Sequence, residues 1–256
     1  MTAGDPPGSK HGEAFGLGIL LKRHIAPEHV FAYCIRMEFE EPILIIEDER
    51  ILADWMAGWL RNTLRAGEVH IAADSETGLE LAREMKPRLI LLDIGLPRAD
   101  GLELIPSLRR LVPRARILVL SAQIEPYAVY RVMSSGVNGF VDKPAGADVL
   151  ERAVRAVLAG KTFYSPAFQA VREELLDSPH SFQKILSRRE QQVLQRMASG
   201  WPDQAIAEHA GISPQTVVAH RKSMRNKLDA HSDRELLAYA LRWGIRPLSR
   251  RDSARA

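Results

Sequence analysis

The chain has 256 residues, 46% of them hydrophobic and 26% charged, with a formal net charge of +3. At roughly 150 residues per domain this allows one large or two small globular domains, and it excludes a collagen-like or wholly disordered chain. No run approaches the roughly 18 apolar residues of a membrane helix, and the single cysteine, Cys34, cannot form an intrachain disulfide; a cytoplasmic protein without a membrane partner is expected.

Residues 1–40 show little periodicity and are rich in Gly and Pro from Gly4 to Gly8, which predicts a disordered extension. The apolar stretch Phe15–Leu21 lacks a clear basic n-region before it and a small-residue cleavage site, so no signal peptide is expected. Met37 is an alternative start, because regular patterning begins directly after it.

From Pro42 onward, short apolar runs at Ile43–Ile46, Val69–Ala72, Leu89–Leu92, Ile117–Leu120 and Gly139–Val141 have the length of strands buried on both faces. Helical patterns at about 50–65, 75–85, 101–111, 125–135 and 146–159 separate them. Strict alternation predicts an α/β domain over 41–160, a doubly wound five-stranded parallel sheet. Ligands of such sheets bind at the carboxyl ends of the strands. There the sequence places Glu47 and Asp48, Asp93, Ser121 and Lys143. Three converging carboxylates repel one another unless a cation is present, and an all-oxygen donor set suits Mg²⁺. A carboxylate can itself attack phosphorus to form an acyl phosphate, with the lysine and the hydroxyl taking the phosphoryl oxygens.

Residues 161–184 read as a linker with a short amphipathic helix around Ala167–Leu176. A small all-α domain follows over 185–246, and a tail over 247–256. Ser187-Arg-Arg-Glu190 forms a capping box, which Ser232-Asp-Arg-Glu235 repeats, and Ser213-Pro214 supplies an N-cap with proline in the first helical position. Residues 181–256 carry 14 basic against 7 acidic residues, the balance of a polyanion-binding module.

The segments Ile43-Leu-Ile-Ile-Glu-Asp-Glu49, Leu91-Leu-Asp-Ile-Gly-Leu-Pro-Arg-Ala-Asp-Gly101, Leu118-Val-Leu-Ser-Ala122 and Gly139-Phe-Val-Asp-Lys-Pro144 resemble the receiver domain of two-component response regulators, a flavodoxin-like fold. The resemblance implies that Asp93 is the phosphoacceptor. Mg²⁺ would be held by Asp48, Asp93 and the Gly95 carbonyl, with Glu47 acting mainly through metal-bound water. It also implies that Lys143 pairs with the phosphoryl group, that Ser121 is the hydroxyl moving toward it, and that Phe140 is the aromatic switch.

The segments Leu186-Ser-Arg-Arg-Glu190, Gly211-Ile-Ser-Pro-Gln-Thr-Val217 and Lys227-Leu228 are similar to the LuxR-type helix-turn-helix that ends NarL/FixJ-class regulators. On a helix beginning at Pro214, Val217, His220, Met224 and Leu228 share the inner face. Gln215, Val218, Ala219, Lys222 and Arg225 share the outer one. Val218, Ala219 and Lys222 are placed for base edges in the major groove, and Arg221, Arg225 and Lys227 for phosphates. Two departures remove positive charge from this face: Val218 stands where the family often has lysine, and Trp201-Pro-Asp-Gln204 replaces a lysine-containing stretch.

The expected function is a phosphorylation-controlled transcriptional regulator rather than an enzyme. Its partners would be a sensor histidine kinase, double-stranded DNA and, when phosphorylated, a second copy of the chain. The apolar last helix, with Leu236, Leu237, Ala240, Leu241 and Trp243, either pairs two modules or closes its own core. A partner-binding switch that no longer contacts DNA is the alternative of another class, resting on the reduced charge at Val218 and Gln204. A haloacid-dehalogenase-like phosphatase is disfavoured, since its second aspartate position holds Gly95.

Overall fold

The computed structural model describes residues 40–246 apart from Arg98. The expected N-terminal extension to residue 39, with Cys34 and Met37, and the tail 247–256 lie outside the described residues. In chain order the elements are β1 Ile43–Ile46, α1 Arg50–Thr63, β2 Val69–Ala72, α2 Ser75–Met85, β3 Leu89–Asp93, α3 Gly101–Leu111, β4 Arg116–Ser121, α4 Pro126–Ser134, β5 Gly139–Asp142, α5 Ala147–Leu158 and β6 Phe163–Tyr164. After these come α6 Pro166–Asp177, α7 Phe182–Ile185, α8 Arg188–Ala198, α9 Asp203–Ala210, α10 Pro214–Leu228 and α11 Asp233–Arg242.

The sheet runs β2-β1-β3-β4-β5-β6, with every pair parallel. Side chains alternate across it with the period of 2 that a strand imposes. Leu44, Ile46, Ile90, Leu92, Ile117, Val119 and Phe140 join the core on the α2, α3 and α4 side. Ile43, Ile45, Leu89, Leu91, Leu118, Leu120 and Val141 join the one beneath α1 and α5. Because both faces are covered, the central strands β1, β3 and β4 are apolar along their middles.

Five strands were expected and six are found. The added β6 has two residues, pairing Gly139 with Phe163 and Phe140 with Tyr164, and it lies in the stretch the sequence assigns to the linker. Helix α6 follows directly and seats Phe168 against Phe140, ring centroids 4.8 Å apart.

The C-terminal helices enclose a third core. Val193, Leu194, Ile206, Val217, Met224, Leu236 and Ala240 fill it, and Leu175, Phe182 and Tyr127 join it from the linker and from α4. Ser187 accepts from the Glu190 amide while the Glu190 carboxylate accepts from the Ser187 amide at 2.7 Å, the full capping box. At α11 the repeat is altered: Ser232 accepts from the Glu235 amide, but Glu235 accepts from the amide of His231. The Ser213 cap accepts from the Thr216 amide at 3.1 Å.

Candidate functional site

Parallel register brings the strand ends to one edge of the sheet. Ile46 pairs with Leu92, Asp93 with Leu120, and Ser121 with Asp142. Glu47, Asp93 and Lys143 therefore meet where β1 and β3 lead to helices on opposite faces, the place where ligands bind in such sheets.

Glu47, Asp48 and Asp93 each offer a carboxylate oxygen within 4.8 Å of the others. Glu47 and Asp93 are buried. The Lys143 ammonium bridges them, 2.7 Å from Asp93 Oδ2 and 2.7 and 2.9 Å from the two Glu47 oxygens. Asp93 Oδ1 accepts from the Gly95 amide at 2.8 Å, and Glu47 from the Glu49 amide at 3.2 Å. Burial and then the charge of Asp93 push the Glu47 carboxyl up to about 7, against the hydrogen bond and charge of Lys143. Three carboxylates this close repel one another, and their all-oxygen donor set suits a hard cation.

The Ser121 hydroxyl, buried at the end of β4, accepts from the Gln123 amide at 2.9 Å. Phe140 is fully buried. Its cover is Phe168, which also stacks on Tyr164 at 4.9 Å. Phe168 belongs to no motif of the receiver resemblance. The signal was present in Phe168, Val171 and Leu175, an apolar stripe at helical spacing that needs something to cover.

On α10, Val217 and Met224 are buried while Gln215, Val218, Ala219 and Lys222 are exposed, Val218 by 53%. The other cations of this helix face acids of their own domain. Arg221 pairs with Asp203 at 2.6 Å and with Asp233, and Arg225 lies 3.1 Å from Asp233. Lys227 donates to the buried Glu190 at 2.8 Å, where Ser223 also donates, at 2.7 Å. Burial raises the Glu190 carboxyl, but the bonds from Lys227, Ser223 and Ser187 outweigh it and bring the group down to about 2.

The last helix divides. Leu236 and Ala240 close the domain core, while Leu237 and Leu241 are 39% and 79% exposed. Trp243, grouped with them from sequence, is buried instead. Its ring lies 5.8 Å from that of Phe182, and its carbonyl accepts from the Tyr127 amide at 3.0 Å. Arg246 with Glu125, and Arg196 with Glu103 at 3.7 Å, add ion pairs between α3–α4 and the C-terminal helices. These contacts leave the outer face of α10 open.

The chain matches the family described as response regulator receiver domain over residues 43–155, and that described as bacterial regulatory proteins, luxR family, over residues 184–240. It is similar to the response regulator GacA of Pseudomonas aeruginosa, 31% identical over 209 residues covering 79% of this chain and 96% of the relative. The transcriptional activator protein ExaE of Pseudomonas putida is 31% identical over 210 residues, 79% of this chain and 97% of that one. Among solved structures, RcsB from Salmonella enterica serovar Typhimurium bound to a promoter in the presence of the phosphomimetic BeF3⁻ is 25% identical, with a TM-score of 0.56 over 78% of this chain and 97% of that one. Among the described residues no helix is long and apolar enough to cross a membrane.

Proposed function

Because the chain belongs to the response regulators that join a receiver domain to a LuxR-family DNA-binding domain, we propose that it is a transcriptional regulator switched by phosphorylation of Asp93. We assign residues 41–160 to the receiver, 161–184 to the linker and 185–246 to the DNA-binding domain. The observation that carries this reading is the Lys143–Asp93 pair inside the cluster Glu47, Asp48, Asp93.

The donors of that cluster are all oxygen and crowded enough to fit a divalent hard ion. Glu47, Asp48 and Asp93, with the Gly95 carbonyl, would hold Mg²⁺, which when bound supplies neutralising charge for an incoming phosphoryl group. An Asp93 oxygen attacks phosphorus on the phosphohistidine of a sensor kinase; the P–O bond forms as the P–N bond breaks and the electron pair leaves on the imidazole. Lys143, already at Asp93, takes a phosphoryl oxygen in place of the carboxylate oxygen it now holds. Ser121, which now accepts from the Gln123 amide, donates its hydroxyl proton to another phosphoryl oxygen, and β4 moves with it. Phe140 on neighbouring β5 carries the change to Phe168 and α4.

The output is DNA binding by a pair of domains. Gln215, Val218, Ala219 and Lys222 face the major groove, while Arg221, Arg225 and Lys227 reach phosphates only by loosening their ion pairs with Asp203, Asp233 and Glu190. Since the outer face of α10 is already exposed, phosphorylation acts by pairing two chains rather than by uncovering that face. Leu237 and Leu241 supply the apolar contact between DNA-binding domains, and pairing raises apparent affinity through effective concentration.

Incubation with Mg²⁺ and acetyl phosphate, followed by intact-mass measurement, tests the acceptor. One phosphoryl group should add to the wild type and none to Asp93→Asn; equal labelling of the two would assign the acceptor elsewhere.

A further inference from the structure

Between the receiver and the DNA-binding domain lies a cleft of about 400 Å³, within the size range of small-molecule sites. Arg131 and Glu103 line it from the receiver side, and Arg188, Arg189, Arg196 and His209 from the other. Four guanidinium groups thus converge on one space from two domains.

Acids answer only part of that charge. Arg131 is ion-paired with Asp100. Arg196 stands 3.7 Å from Glu103, and it also donates to His209 Nε2 at 2.8 Å and lies 5.0 Å over the Trp201 ring. Arg189 donates to the Ala210 carbonyl and to the Gln192 side-chain oxygen, both neutral. Arg188 is exposed, and among the described residues neither Arg188 nor Arg189 makes an ion pair. Four cations against the two carboxylates of Asp100 and Glu103 leave a surplus of two positive charges.

A recess with surplus positive charge and protein walls concentrates anions. Arginine forks match phosphate oxygens in paired hydrogen bonds. Arg131 is held by Asp100 and Arg196 faces Glu103, so the surplus lies on the wall of the DNA-binding domain, at Arg188 and Arg189, and two neighbouring cations suit a ligand with more than one negative charge. We propose that this cleft binds a small polyphosphate anion of nucleotide size, held chiefly by Arg188 and Arg189 of the DNA-binding domain. None of Glu47, Asp48, Asp93 and Lys143 lines it, so the site is separate from the phosphoacceptor and the proposal does not depend on phosphotransfer.

Calorimetric titration of the full chain with ATP and with inorganic pyrophosphate, in EDTA, tests this. Saturable binding of one molecule per chain is expected, equal in wild type and Asp93→Ala, and at least about tenfold weaker in Arg188→Gln/Arg189→Gln. Markedly tighter ATP identifies a nucleotide, and equal affinities identify the polyphosphate group itself; both support the site. Should the double variant not fold, Arg188→Gln alone, at an exposed position, must still weaken binding several-fold. Absence of saturable binding, equal affinity in wild type and variants, or loss of binding in Asp93→Ala overturns the proposal. So does an equal weakening of a nonspecific DNA duplex, which would assign the arginines to the DNA-contacting surface.

Discussion

The ring of Phe168, on the first helix after the sheet, lies 4.8 Å from that of Phe140 at a tilt of 39°, and both side chains are fully buried. The linker is therefore part of the receiver core. Helix α6 shields the aromatic residue of the proposed switch, and its far end delivers Leu175 to the core of the DNA-binding domain. Truncating Phe168 to Ala removes this cover and leaves a cavity, which should cost about 3–5 kcal/mol. Chemical denaturation of the two proteins measures it. A cost near that of a surface substitution would show that Phe168 is not packed as described.

A second prediction concerns Lys143, the counter-charge to two buried carboxylates. Breaking a buried ion pair by removing one partner costs about 3–5 kcal/mol. Lys143→Met should lose stability of that order in EDTA and regain part of it on adding Mg²⁺, since the cation replaces the missing charge. Thermal denaturation with and without the ion decides; a variant as stable as wild type in EDTA would contradict the geometry.

Acid should weaken the DNA-binding domain through Glu190. Its folded value of about 2 lies below the ordinary 4.5, so ionised Glu190 stabilises the fold. That contribution is fully present above the ordinary value and is lost as pH falls toward about 2. Glu190→Gln should thus be clearly destabilised at pH 7, with the gap to wild type narrowing steadily below about pH 5. A gap that does not change with pH would mean that the Lys227 and Ser223 bonds do not hold the charge.

The salt dependence of DNA binding should be shallow. Arg221, Arg225 and Lys227 face Asp203, Asp233 and Glu190, and Val218 adds no charge. Each new phosphate contact steepens the slope of log K against log salt by about 0.9. Val218→Lys/Gln204→Lys should therefore steepen it by about 1–2. Equal slopes in titrations across salt would discard the argument.

The acidic cluster was legible in the sequence because topology alone sends the ends of β1, β3, β4 and β5 to one edge. Apolar runs mark strands, and whatever follows them lands at the site. The third core was legible by the same logic: Val217 and Met224 bury as their spacing requires. What failed were statements about partners. Trp243 carries an apolar signal that says it is buried, but not that Phe182 and the backbone of Tyr127 meet it. Phe163–Tyr164 is too short for an alternating pattern to mark it as a sixth strand. The acids around Arg221 come from two other helices, so a charge count gives their sign but not their position.

The central claim is that phosphorylation of Asp93 pairs two chains. Solution molar mass by light scattering, with Mg²⁺ and beryllofluoride as phosphoryl mimic, tests it on wild type and Asp93→Ala. The account predicts that the wild type passes from monomer to dimer on adding the mimic and that Asp93→Ala stays monomeric. An unchanged mass in wild type, with the mimic demonstrably bound, would contradict it and place control within a single chain.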